Sequence, residues 1–267
     1  MNPIAPLPET TSRLARALAA WAHGWWQIVS VGAQIFVLAL SPSSYRKNQR
    51  LVMARCAYAA TAPQLSGFTV LSALISLIVI RIVVATTLSY GLSQYALELL
   101  IRTLVLELLP LSVALFVAVR YTMPQGEQVR AMRKRGELDA MWRAGGDPAR
   151  DLLLPRVGAG VFAVMLLAAV SCVVTLVLTY LSVYGFKAWG LAGYTRSVGQ
   201  VFSPVVTLIF CLKTVFFSLA VSVVPIVYAP PPQAGDALGA NAEIKVLTRL
   251  FSVILLMEAI SLLGNYY

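Results

Sequence analysis

The chain has 267 residues, of which 59% are hydrophobic and only 12% charged, with a formal net charge of +10. Soluble globular domains carry about a quarter charged residues, so this composition excludes an ordinary soluble fold. The apolar residues run continuously instead of alternating over segments of about 10 residues, which excludes a β-barrel and predicts spanning helices of roughly 20 residues each.

Residues 1–12 are Pro-rich and read as a disordered tail. Arg13 and Arg16 then precede an apolar stretch, an order also found in signal peptides. This stretch, however, carries His23, Gln27, Ser30, Gln34 and Ser41 at spacings of 4, 3, 4 and 7, which places one polar stripe on a helix. Trp21, Trp25 and Trp26 suit the headgroup region. Residues 13–40 are therefore read as an amphipathic helix lying in the membrane interface. A second short helix, over 45–60, carries Arg46, Lys47, Arg50 and Arg55. The chain divides into a tail with interfacial helices, 1–61, and a five-span domain, 62–267. The spans fall at 63–90, 97–119, 157–183, 202–228 and 246–264. Pro230, Pro231 and Pro232 turn the chain before the last of them, and no internal repeat is visible.

The 21 lysines and arginines are unevenly placed: six lie before residue 62, eight in the 120–156 loop and two in 229–249. The opposite side holds only Lys187 and Arg196, and Arg81, Arg102 and Lys213 lie within spans. Cytoplasmic loops are enriched in Lys and Arg, so the N-terminus and the 120–156 loop are expected in the cytoplasm and the C-terminus on the far side. Basic residues flanking spans account for the net charge without a nucleic-acid partner. Cys56, Cys172 and Cys211 match no metal or redox spacing. His23 is the only histidine, which argues against a metal site or a His-based triad. No phosphate-binding Gly-Lys-Ser/Thr loop is present, so ATP hydrolysis is not expected of this chain alone.

The basic loop holds the richest local pattern. A helix is expected from Gly126 to Ala144, ended by Gly145 and Gly146, with Asp147 capping a following helix that opens at Pro148. Glu137 and Asp139 offer charged contacts; Leu138, Met141 and Trp142 offer an apolar face. Such a helix fits a groove of a cytosolic partner, or equally lies on anionic headgroups. Within the spans, Glu107, Lys213 and Glu258 are two acids and one base able to neutralise one another across three helices. Ionisable groups at this depth mark function by default, but an ion pair that fixes helix packing is the competing explanation. Arg102 lies five residues before Glu107, and Arg81 snorkels if it lies near a span end. Gly158, Gly160, Ala168, Ala169 and Ser171 permit close helix contact in the third span, within one subunit or between two. Pro204 and Pro225 suggest helix ends or a kink in the fourth.

Taken together, these residues resemble the MlaE/YrbE family, permease subunits of ABC transporters that work with MCE-domain proteins. Glu137-Leu138-Asp139-Ala140-Met141, then Asp147-Pro148 and Pro155-Arg156, are similar in order and spacing to the family's loop series. Glu107-Leu108-Leu109-Pro110 is similar to its Glu-Leu-Gly-Pro string, Arg120 and Lys213 match family positions, and Glu258 stands where an aspartate is common. Leu106 and Leu109 depart from the family's arginine and glycine, and Arg81 and Arg102 look like additions. The resemblance implies an all-α polytopic inner-membrane protein acting as a homodimer. It implies an ATPase-coupling role for Glu137, Leu138, Asp139, Met141, Trp142 and Asp147, with ATP and magnesium bound by a separate cytosolic subunit. It implies a periplasmic MCE ring and a phospholipid cavity, with Glu107, Lys213 and Glu258 as its polar network; Arg102 and Arg81, in-span charges outside the family pattern, are expected to join that network. An ABC permease for a non-lipid cargo, and a membrane scaffold that transports nothing, are the rival readings.

Overall fold

A computed structural model describes residues 9–41, 47–91, 95–228 and 240–266. The expected tail up to residue 8 and the three-proline turn lie outside the described residues, as does the side chain of His23. The described backbone is helical apart from short turns and links, without strands. The helices are α1 Glu9–Leu40, α2 Lys47–Ser89, α3 Ala96–Lys134, α4 Glu137–Arg143, α5 Ala149–Tyr184, α6 Leu191–Val201, α7 Pro204–Val227 and α8 Ala240–Tyr266. Among the described residues five helices, α2, α3, α5, α7 and α8, are long and apolar enough to cross a membrane.

Two boundaries differ from expectation. The short helix at 45–60 is not separate: it continues through Pro63 into the first span as one helix of 43 residues. At 1.5 Å per residue that is about 65 Å, twice the ~30 Å hydrocarbon core, so the turns carrying Arg50 and Arg55 project past the membrane. Likewise the second span does not stop near residue 119. It runs on to Lys134, and the chain breaks at Gly136, where φ is 73°. That left-handed conformation is open to glycine and costly for other residues, and it divides the helix expected over 126–144. Beyond it, Gly145 also takes a positive φ of 81°. The Ala149 N–H donates to Asp147 Oδ1 at 3.0 Å, the cap that the Asp-Pro pair predicts.

Helix α3 sits at the centre. Just over half of its apolar window is buried, 56%, against 22% for α2 at the periphery. Helix α2 lies along α5, joined by the buried pairs Ser72–Ser171 at 3.3 Å and Ser76–Thr175 at 2.8 Å. The opposite face of α2, with Val70, Leu74, Ile78 and Ile82, is exposed and apolar, as a lipid-facing surface requires. Val113, Val117, Ala163, Val164, Phe217 and Val221 join α3, α5 and α7 in the main core, with Leu250 and Ile254 of α8 closing it. Gly160 of α5 marks a close three-helix crossing. A Cβ there would lie 2.6 Å from Ser222 Oγ of α7 and 3.1 Å from Thr122 of α3.

Helix α1 packs Ile28 and Ile35 inward and turns Trp26, Val29, Phe36, Val37 and Leu40 outward. Its polar residues Gln27 and Ser30 fall between these faces, half-buried. Gly24 lets the rest of the bundle approach: the Arg249 guanidinium lies 4.2 Å over Tyr228 and 5.2 Å over Trp25. At the end opposite the basic loop, the amphipathic helix α6 was not anticipated. At 11 residues it is too short to span. Tyr194 anchors it by donating to the Leu176 carbonyl at 2.8 Å. Burial, then the neighbouring Tyr184, pushes the Tyr194 hydroxyl up to about 12, so it stays a donor.

Candidate functional site

The structure brings three expected side chains together from three helices. Lys213 of α7 lies between Glu107 of α3 and Glu258 of α8. Its Nζ donates directly to Glu107 Oε2, and it stands 3.0 Å from Glu258 Oε1 and 2.9 Å from Oε2. The Lys213 side chain is 3% exposed, against 14% for Glu107 and 15% for Glu258. The ammonium is thus set behind the two carboxylates, which keep an open edge.

The local backbone explains a fourth contact. Pro110 has no N–H to give to the carbonyl four residues back, that of Leu106. The preceding stretch, Ile101–Leu108, is wound as a π-helix, a form often found at functional sites. Lys213 Nζ donates to the Leu106 carbonyl at 3.4 Å, so one ammonium serves both carboxylates and a backbone oxygen at the Pro110 position. Phe217, one turn along α7, puts its ring 5.7 Å from Nζ.

A small cleft opens beside the cluster, lined by Leu106, Glu107, Val206, Ile209, Phe210, Lys213 and Ser261. Its cavity volume is about 10 Å³, room for about one water and far below the ~300–1,000 Å³ of a typical small-molecule pocket. The described part of a single chain therefore holds no lipid-sized cavity at this cluster.

The other two expected charges stand apart from this cluster. Arg102 donates from Nε to Glu98 Oε1 at 3.0 Å, one turn away on the same helix and partly exposed. Arg81 is exposed on the outer surface of α2, beside the exposed Ile82. The i,i+4 spacing stacks Arg102 on Glu98, while Glu107, five residues on, lies on an adjacent face and is not stacked with it.

In the basic loop, α4 has no buried residue. Glu137 pairs with Arg135 at 3.0 Å; Leu138 and Met141 are half-buried; Asp139 is exposed, and Trp142 is 65% exposed. Leu138, Met141 and Trp142 stand at i, i+3 and i+4, one face of a helix. Asp147 holds the joint into α5 through its cap. Sequence reasoning missed Ser261 and the Leu106 carbonyl. The signal for the latter was present: a proline three residues after an acid in a span. Among the described residues no group of histidine, cysteine and acidic side chains is placed to hold a metal.

The sequence profile described as Permease MlaE matches residues 53–263, most of the chain. The chain belongs to the MlaE permease family. The matched interval contains the three-helix ion cluster and the whole basic loop, and leaves α1 outside. No match was found among curated proteins. Family membership makes the chain a multi-pass membrane permease, the membrane subunit of a transporter and not an enzyme, and implies partner proteins of an ABC transporter.

Proposed function

We propose that this permease moves phospholipid or another hydrophobic lipid between the inner membrane and a periplasmic MCE-domain protein, driven by a separate ATPase that binds ATP and magnesium. The observation that carries the reading is α4. It is a short amphipathic helix with no buried residue, joined through Gly136 to α3, the helix that carries Glu107. A helix with an open apolar face beside charged residues suits the groove of a soluble partner. Positive-inside placement puts it in the cytoplasm, where ATP is.

Two copies of the chain would act together to enclose the lipid, since the cleft within one copy is too small for it. Movement of α4 would tilt α3 and alter the contact of Glu107 with Lys213, and so open or close a site between two subunits. In the test, Glu137→Ala with Asp139→Ala is built into the complex purified from membranes. Loss of the ATPase, or loss of ATP-dependent lipid transfer, is expected. Unchanged lipid transfer with the ATPase still bound would sink the proposal.

A further inference from the structure

A second junction joins α3 and α7 near the basic end, well away from the ion cluster. Gly126 of α3 faces the Pro225 carbonyl of α7 so closely that a Cβ there would lie 2.1 Å from that oxygen. One turn later, Arg130 Nη1 donates to the same oxygen at 3.3 Å. The chemistry follows from the sequence. Pro225 sits in the last turn of α7, which ends at Val227, and the carbonyls of a helix's last turn call for partners from outside the helix. A guanidinium there satisfies the acceptor and also suits the negative end of the helix dipole. Val129, next to Arg130, is 1% exposed and packs with Ile226 and Val227. The junction thus sets a half-buried polar contact beside buried apolar packing.

Two helices touching at one point can pivot; touching at two, they move together. Helices α3 and α7 pack apolar side chains along the length between these ends, and polar contacts fasten them at two places, Glu107–Lys213 and Gly126/Arg130–Pro225. From Glu107 to Arg130 along α3 is about 35 Å, and from Lys213 to Pro225 along α7 is about 18 Å, at 1.5 Å per residue. Helix α4 hangs from the end of α3 only six residues beyond Arg130, past Gly136. Any tilt of α4 meets the Pro225 junction before it reaches the ion cluster.

We infer that Arg130 is a positioning residue that ties the movement of α4 to α7, so that Lys213 follows α4 through α7 as well as through α3. Gly126 is the close-approach position that makes this contact possible. The inference rests on the permease reading, and adds a specific transmission point to it.

The experiment uses the full complex in lipid nanodiscs, with Arg130→Met, Arg130→Lys and Gly126→Ala. Lipid moved per ATP hydrolysed is measured beside ATPase co-purification and melting temperature. Arg130→Met should keep the ATPase bound yet lower lipid per ATP by about fivefold or more, the scale of an ordinary coupling energy. Arg130→Lys, which keeps a charged donor, should restore at least half of it. Gly126→Ala, which displaces the same carbonyl, should behave like Arg130→Met. A lipid-per-ATP ratio within about twofold of the unaltered complex for Arg130→Met would overturn the inference. So would Lys being as defective as Met.

A second arm needs no ATPase. Gly136→Val disturbs the α4 joint, and hydrogen exchange is followed in the last turn of α7. Exchange there should quicken at least threefold when Arg130 is present and stay nearly unchanged in the Arg130→Met background. Equal acceleration in both would overturn the inference. If the unaltered chain brings down no ATPase, the permease reading fails, and this arm still decides the role of Arg130.

Discussion

Replacing Lys213 by methionine keeps most of the side-chain volume and removes the one charge that Glu107 and Glu258 share. Each carboxylate lies about 3 Å from Nζ or nearer, where an ion pair is worth about 5 kcal/mol at an effective dielectric of ~20. Part of this is offset because the ammonium no longer has to be desolvated. Breaking a buried pair by deleting one partner costs about 3–5 kcal/mol in practice. All three side chains are no more than 15% exposed, so solvent screening does little to reduce that figure. Lys213→Met should therefore destabilise the bundle by about 3–5 kcal/mol. Adding Glu107→Gln and Glu258→Gln removes the uncompensated charges and should recover most of the loss, because neutral replacements of whole buried ion clusters are often tolerated. The assay is reversible unfolding in mixed micelles, followed by tryptophan fluorescence, for the single and the triple variant. A single variant within about 0.5 kcal/mol of the parent, or a triple variant no better than the single, would refute a buried, mutually neutralising cluster.

Three further outcomes follow from the packing. Gly160→Ala puts a methyl 2.6 Å from Ser222 Oγ and should cost about 1–3 kcal/mol by overpacking, whereas at Gly158 the nearest atom is Met53 Cε at 3.6 Å and alanine should be tolerated; thermal melts of the two variants in the same nanodisc check this. Gly136→Val, forced into a φ of 73°, should cost about 1–2 kcal/mol locally and weaken ATPase co-purification without unfolding the spans, as read by pull-down beside a melting curve. Ser76→Ala should leave the Thr175 hydroxyl without its 2.8 Å partner and cost about 0.6–1.7 kcal/mol, most of it regained by adding Thr175→Val; a double-mutant cycle measures the coupling.

What the residues disclosed, and what they hid, follows from how local each signal is. The five spans are legible because a bilayer demands long apolar runs, and Lys213 with its two acids is legible because charge is so rare there. Their ends were less legible. Hydropathy marks where α3 leaves the hydrocarbon, near residue 119, but a helix does not stop at a membrane surface unless its backbone is told to, and Gly136 is where that happens. The merging of α2 across Pro63 has the same origin. Arg102 pairs with Glu98 one turn away, a partner that the i,i+4 register makes legible. The Arg130–Pro225 contact joins residues 95 positions apart, and a single sequence holds no sign of such a pairing beyond the terminal proline carbonyl that needs a donor. Helix α6 escaped notice because its polar residues, Thr195, Arg196, Ser197 and Gln200, read as a loop. Its amphipathic register shows once Tyr194 and Val201 are seen buried.

The central claim is that this permease carries lipid with power from a partner. The most direct measurement is gentle affinity purification from native membranes, followed by mass spectrometry of both the proteins and the lipids that come with it. An ATPase subunit, an MCE-domain protein and co-purified phospholipid, with two copies of the chain in the complex, are the predicted result. An isolated chain or dimer that brings neither an ATPase nor lipid would contradict it.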